Sequence, residues 1–157
     1  MTLDENVRTT NMLGNVKGGG LGNCFGMTLN WIRASQKNGG VTKGWQIDNG
    51  VITQARLVNQ WGNQQEMDNV RNAGLTVMDS SSNYASFGSK DCYSVFVIDN
   101  PAHAMGAWVH GKTFQFFDPN SGLHRAADFD DLYNGVWGYL HANYPGWTVR
   151  TIINIAP

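Results

Sequence analysis

Between residues 93 and 118 the chain carries three short runs in succession: YSVFVID (93–99), AMGAWVH (104–110) and TFQFFD (113–118). Their aromatic and β-branched side chains read as strands, and the short turns between them predict an antiparallel sheet. His110-Gly111-Lys112-Thr113 reads as a two-residue hairpin turn with Gly in the first central position. That turn sets a register. His110 falls opposite Thr113, Trp108 opposite Gln115, Met105 opposite Asp118 and His103 opposite Asn120. Side chains alternate along a strand, and paired residues share a face. His103, Met105, Ala107 and Val109 therefore share a face with Phe114, Phe116, Asp118 and Asn120. His103 and Asp118 become diagonal neighbours, while His110 points to the other face with Gln115 and Phe117. A loop one residue longer or shorter would reverse this assignment.

The rest of the chain supplies helices and a closing strand. In CFGMTLNWIRASQKNGG, Cys24, Met27, Trp31 and Ile32 fall on one helical stripe, and Asn38-Gly39-Gly40 is a C-terminal stop. A second helical pattern covers about 50–61, through Val51, Ile52, Ala55, Val58 and Trp61, with a continuation toward Met67 and Val70. Residues 79–90, DSSSNYASFGSK, read as a connecting loop rather than a lid. Asp128 caps a helix over 129–142 whose apolar stripe is Phe129, Leu132, Val136, Trp137 and Leu140. WTVRTIINI at 147–155 is a last strand, and residues 1–23 read as irregular. Helices first, then strands with one late helix, predict an α+β domain in which an antiparallel sheet packs on the Cys24 helix. At 157 residues a single domain over 1–157 is expected, with 1–20 irregular.

Composition removes several classes of function. Charged residues make up 15% of the chain, against about 25% in an average soluble domain. Six Trp, seven Phe and five Tyr supply a core, so disorder is not expected. The formal net charge of −1 gives no basic excess for binding nucleic acid. No apolar run approaches the roughly 18 residues of a membrane span. MTLDENVRTTNMLGN lacks a basic start and an apolar stretch, so no cleaved signal peptide is expected. The two cysteines, Cys24 and Cys92, are then expected as free thiols. No Cys-x-x-Cys pair exists to hold a structural metal.

Two roles are open to Cys24: a small core residue, or a nucleophile. A helix N-terminus favours the thiolate, because unpaired N–H groups and the helix dipole stabilise the anion. Glycines 18–20 before it let backbone approach a substrate carbonyl. A base for this thiol needs an orienting partner on its other ring nitrogen. Of His103, His110, His124 and His141, only His103 has one, through the register that brings Asp118 near. His110 reads as a hairpin-end surface residue, His124 as a loop residue and His141 as a helix C-terminal residue. Asp118 also opens DPNSG, a turn sequence, so a purely local role is open to it. Asn120, opposite His103, is the alternative orienter. Cys92 reads as structural.

GNCFGMTLNWIRAS and AHAMGAWVHGKTFQFFDPNSG together resemble the YopT/AvrPphB-type cysteine peptidases, a papain-like clan of bacterial effectors. The resemblance spans about residues 18–122. It implies Cys24 as nucleophile, His103 as general base and acid, and Asp118 as the residue that orients His103. The chain departs from the family pattern in two ways. The Cys24–His103 interval of 79 residues is short for the family, which suggests a trimmed substrate-contacting lobe. Gly18 and Gly19 also stand where papain-like enzymes place an amide side chain for the oxyanion. The donors are then the Cys24 N–H with Asn23, or a backbone N–H of the glycine run such as Gly19.

The resemblance implies a thiol protease that cuts a protein of a host or competitor cell without metal or organic cofactor. It implies delivery by a secretion system, action in the target-cell cytoplasm, and room for a cognate inhibitor or immunity protein. The same triad would serve a papain-like protein glutamine deamidase or a peptidoglycan amidase toxin. A non-catalytic binding module, with Cys24 as a core thiol, is the third possibility.

Overall fold

The computed structural model describes residues 1–10, 24–47, 63–88 and 90–157. The described residues form seven strands and three α-helices: β1 (Thr2–Arg8), α1 (Cys24–Asn38), α2 (Asn63–Asn72), β2 (Val77–Ser81), β3 (Cys92–Asp99), β4 (His103–His110), β5 (Thr113–Asp118), β6 (Gly122–Arg125), α3 (Phe129–Asn143) and β7 (Thr148–Ile155). The strands make one sheet in the order β1-β6-β5-β4-β3-β7-β2. Every pairing is antiparallel.

The central hairpin has the register that its turn implies. His110 pairs with Thr113, Trp108 with Gln115 and Ala107 with Phe116. Gly111 sits at φ +56, a left-handed conformation that glycine adopts without a Cβ penalty. The pleat then sorts the core. One face carries Ala104, Trp108 and Phe117 against Phe25, Leu29, Trp31 and Ile32 of α1. The other carries Met105, Ala107, Val109 and Phe116 against Leu132, Val136 and Leu140 of α3.

Burial on α1 reaches further round than one stripe: Cys24 to Leu29 are all buried, as are Trp31, Ile32 and Ser35. A helix buried on most sides belongs in the middle of a fold. Gly106 explains the close packing, since a Cβ there would stand 2.7 Å from Cζ3 of Trp31. Trp31 lies flat on Phe117, with centroids 5.3 Å apart. The helix ends where the sequence implies. Gly39 turns left-handed at φ +67, and the Gly40 N–H closes back on the Ser35 carbonyl at 2.9 Å. In α3, Asp128 caps the N-terminus by accepting from the Asp131 N–H at 2.8 Å.

Several expectations need correction. Residues 1–23 are not irregular throughout, because Thr2–Arg8 is an edge strand on β6. The loop expected over 79–90 begins inside β2, which pairs with β7. β6 contains His124, so that residue is in the sheet and not in a loop. Trp137 does not belong to the buried stripe of α3; it is 46% exposed. The helix expected over 50–61 lies outside the described residues, although Met67 and Val70 do lie on a helix, α2.

Candidate active site

Cys24 is the first residue of α1, and its side chain is fully buried. Two contacts fasten this end of the helix to the start of β4. The Ala104 N–H donates to Cys24 Sγ at 3.3 Å. Thr28 Oγ1 donates to the Cys24 carbonyl at 2.8 Å and lies 3.4 Å from the Ala104 carbonyl. His103, one residue earlier and at the end of the sheet, is thereby brought beside Cys24, close enough for the thiol to act on its ionisation. Cys24 packs against one sheet face and His103 starts on the other; they meet because β4 ends here.

The second partner of His103 is Asp118, at the last position of β5. His103 Nε2 and Asp118 Oδ1 are 2.8 Å apart. An ionised carboxylate only accepts, so Nε2 carries the proton and Nδ1 is left for the thiol. Asp118 also closes its own turn. Its Oδ1 accepts from the Asn120 N–H at 2.9 Å, and its carbonyl accepts from the Ser121 N–H at 3.0 Å. One side chain thus makes both the contact to His103 and the contact that closes the turn.

The opposite oxygen, Oδ2, accepts from Tyr139 Oη at 2.7 Å and from Tyr144 Oη at 2.6 Å. Nothing in the sequence marks these tyrosines beyond the rule that a buried phenol finds a polar partner. Asn120 Nδ2 lies 3.5 Å from His103 Nε2 but donates to Tyr144 Oη at 2.9 Å. Asp118, not Asn120, is the acceptor for the histidine.

Electrostatics follow from these contacts. Burial alone would lower the His103 pKa, but hydrogen bonds and charge from Asp118 and Cys24 outweigh it and push it up to about 10. Burial would raise the Asp118 pKa, yet His103, the Tyr144 hydroxyl and the Asn120 N–H hold it below the usual carboxylate range. Burial and the Asp118 charge together raise the pKa of both tyrosines, so they stay protonated donors.

The other histidines stand apart from the thiol. His110 is exposed and lies 3.7 Å from Asp91, an exposed pair of little energetic weight. His141 is exposed near the end of α3. His124 is buried, which lowers its pKa, and its Nε2 lies 2.9 Å from Ser121 Oγ. Cys92 is buried beside Ser94, and burial raises its pKa. Asn23 and Gly19, the expected oxyanion groups, lie outside the described residues. Among the described residues no three His, Cys, Asp or Glu side chains converge as a metal site. No described helix is long and apolar enough to cross a membrane.

No protein-family model and no curated protein sequence matches the chain. A solved structure does. The crystal structure of the Pseudomonas avirulence protein AvrPphB aligns with a TM-score of 0.62, over 97% of this chain and 96% of that one. The two chains share a fold. Their sequence identity is 13%, so the likeness to AvrPphB is one of architecture: an antiparallel sheet with helices packed on it.

Proposed function

We propose that this chain is a cysteine protease of the bacterial effector type, working through a papain-like Cys24–His103–Asp118 triad in a single domain over 1–157. The observation that carries this reading is the His103 ring, held at Nε2 by Asp118, at the strand end whose next N–H, that of Ala104, binds Cys24 Sγ. The shared fold with AvrPphB supports it.

In the proposed reaction, His103 takes the Cys24 proton on Nδ1, giving a thiolate beside an imidazolium. The sulfur attacks the scissile carbonyl, and its electron pair forms the C–S bond. As the tetrahedral adduct collapses, the C–N bond breaks and Nδ1–H protonates the leaving amine. Water, deprotonated by His103, then cleaves the thioester and frees the thiol. Asp118 remains ionised throughout and steadies the imidazolium. The Cys24 N–H stands at the start of α1, where the helix dipole favours a developing negative charge, so it suits an oxyanion. Asn23 or Gly19 is the proposed second donor. Cys24 and His103 are both buried.

The proposed substrate is a protein of a host or competitor cell, reached through a secretion system. The test is incubation with a proteome-derived peptide library and, separately, with purified peptidoglycan, each read by mass, beside Cys24→Ala. Split peptides produced by the wild type alone support proteolysis. A +1 Da product would replace it with glutamine deamidation, and released muropeptides would replace it with amidase chemistry. Equal peptide cleavage by Cys24→Ala would overturn the role of Cys24.

A further inference from the structure

An ionised carboxylate fixes the direction of every proton around it. Tyr144 and Tyr139 each have one hydroxyl proton, and both end on Asp118 Oδ2. Having donated, each phenol oxygen can only accept from its other neighbour. Tyr144 accepts from Asn120 Nδ2 at 2.9 Å. Tyr139 accepts from Ser121 Oγ at 2.9 Å, and Ser121 in turn accepts from His124 Nε2 at 2.9 Å. Two relays of donors thus converge on Oδ2. Oδ1 is left for His103 and for the Asn120 N–H that pins the turn. The Tyr144 ring also lies against the His103 ring, with centroids 5.0 Å apart and planes at 41°. Both tyrosines come from one short stretch. Tyr139 is in α3, and Tyr144 caps its C-terminus, its N–H bonding to the Leu140 carbonyl at 2.8 Å.

We propose that Tyr144 and Tyr139 are positioning residues for the triad: they hold Asp118 charged, with Oδ1 aimed at His103, and Tyr144 bounds one face of the imidazole. The proposal rests on the thiol chemistry above and makes α3, on the sheet face opposite α1, part of the working site. Neither hydroxyl is free to serve a substrate, since Asp118 takes both protons. Their effect therefore passes through the charge and aim of one carboxylate.

The experiment measures iodoacetamide alkylation of native Cys24 across pH, mapped by mass with Cys92 as internal reference. It compares the wild type, Tyr144→Phe, Tyr139→Phe, Asp118→Asn and the double variant Tyr144→Phe/Asp118→Asn. Circular dichroism checks that each is folded. Loss of one hydrogen bond to a charged group corresponds to about tenfold in rate. Tyr144→Phe is expected to slow Cys24 labelling at neutral pH by about that factor. It should also move the acid limb up, because Asp118 protonates more readily without its donor. The titratable groups facing Asp118 are His103, Tyr139 and Tyr144, with His124 beyond Ser121. In the Asp118→Asn background the same tyrosine change should cost little more, since the charge it serves has gone. Folded Tyr144→Phe and Tyr139→Phe that label at the wild-type rate with an unmoved limb would overturn the proposal. So would a Tyr144→Phe loss that persists undiminished in Asp118→Asn. A wild-type Cys24 that labels no faster than Cys92 would instead overturn the underlying thiol chemistry, and the two failures are told apart by the wild-type trace.

Discussion

Replacing Asp118 by Ala removes the acceptor for four donors at once: His103 Nε2, the Asn120 N–H, Tyr139 Oη and Tyr144 Oη. Asp118 is fully buried and His103 and Tyr144 nearly so, so His103 and Tyr144 do not simply turn to water, whereas the exposed Asn120 and half-buried Tyr139 can in part. A buried donor left unpaired costs about 1–3 kcal/mol. Entry of one or two waters into the space left by the carboxylate would satisfy part of the set. A net destabilisation of about 3–5 kcal/mol follows, which for a domain of this size lowers Tm by about 6–20 °C. Asp118→Asn keeps one acceptor oxygen and nearly the same volume. Its amide oxygen can face His103 while its NH2 faces phenol oxygens that must then accept, so its cost is smaller, about 1–3 kcal/mol. The chemical consequence separates the two variants further. An amide oxygen still aims the imidazole but lacks the charge that steadies its protonated form, a difference of about 1.4 kcal/mol or tenfold in rate. Thermal melts and kcat/KM are measured on both, with Cys24 alkylation at pH 7 as a second rate. The expected order is wild type, then Asn, then Ala, for both stability and rate. A folded Asp118→Ala with wild-type Tm and turnover would refute the reasoning and leave Asp118 as a turn residue only.

His103→Ala should abolish activity as fully as Cys24→Ala, while His110→Ala, on the exposed hairpin end, should remain within twofold of wild type; equal losses in two folded histidine variants would contradict the assignment of the base. Gly106→Ala would place a methyl 2.7 Å from Trp31 Cζ3, so α1 must back away from the sheet. The expected cost is about 1–3 kcal/mol, read as a Tm fall of about 2–12 °C, and an unchanged Tm would show that Trp31 moves freely. Stability should also fall at high pH. The His103 pKa stands at about 10 in the folded chain against 6.5 for the free side chain, so its stabilisation is complete below pH 6.5 and is lost as pH rises toward 10. Denaturant titrations at several pH values should show that loss in the wild type, and His103→Gln should lack most of it.

The parts of the fold legible in sequence were those with strong local rules. Gly111 in a two-residue turn fixed the β4–β5 register, and with it the proximity of His103 to Asp118. Gly39 and Asp128 marked helix ends through their own backbone and capping chemistry. The elements missed lack such signals. β1 is TLDENVR, an exposed edge with only Val7 buried, and its strand character comes from pairing with β6. β2 is VMDSS, half exposed on the other edge, and β6 has only four residues. The support around Asp118 was invisible for another reason. Tyr139 and Tyr144 lie 21 and 26 positions away in sequence, and their hydroxyls reach Asp118 only because α3 crosses the sheet. Trp137, read as core, instead stays half exposed while packing edge-on against Tyr84 and Trp147.

Cys24 and Cys92 offer a direct comparison, because both thiols are fully buried and neither is in a disulfide. Burial alone predicts that iodoacetamide at pH 7 labels the two slowly and alike. A thiol paired with an imidazole labels faster, and loses that advantage when the imidazole is removed. The decisive measurement is therefore the Cys24-to-Cys92 ratio of labelling rates in the native protein and in His103→Ala, mapped by peptide mass. A ratio of about ten or more is expected in the wild type and a ratio near one in His103→Ala. A wild-type ratio near one, or a high ratio unaffected by the loss of His103, would contradict the claim that Cys24 and His103 form a working nucleophile and base.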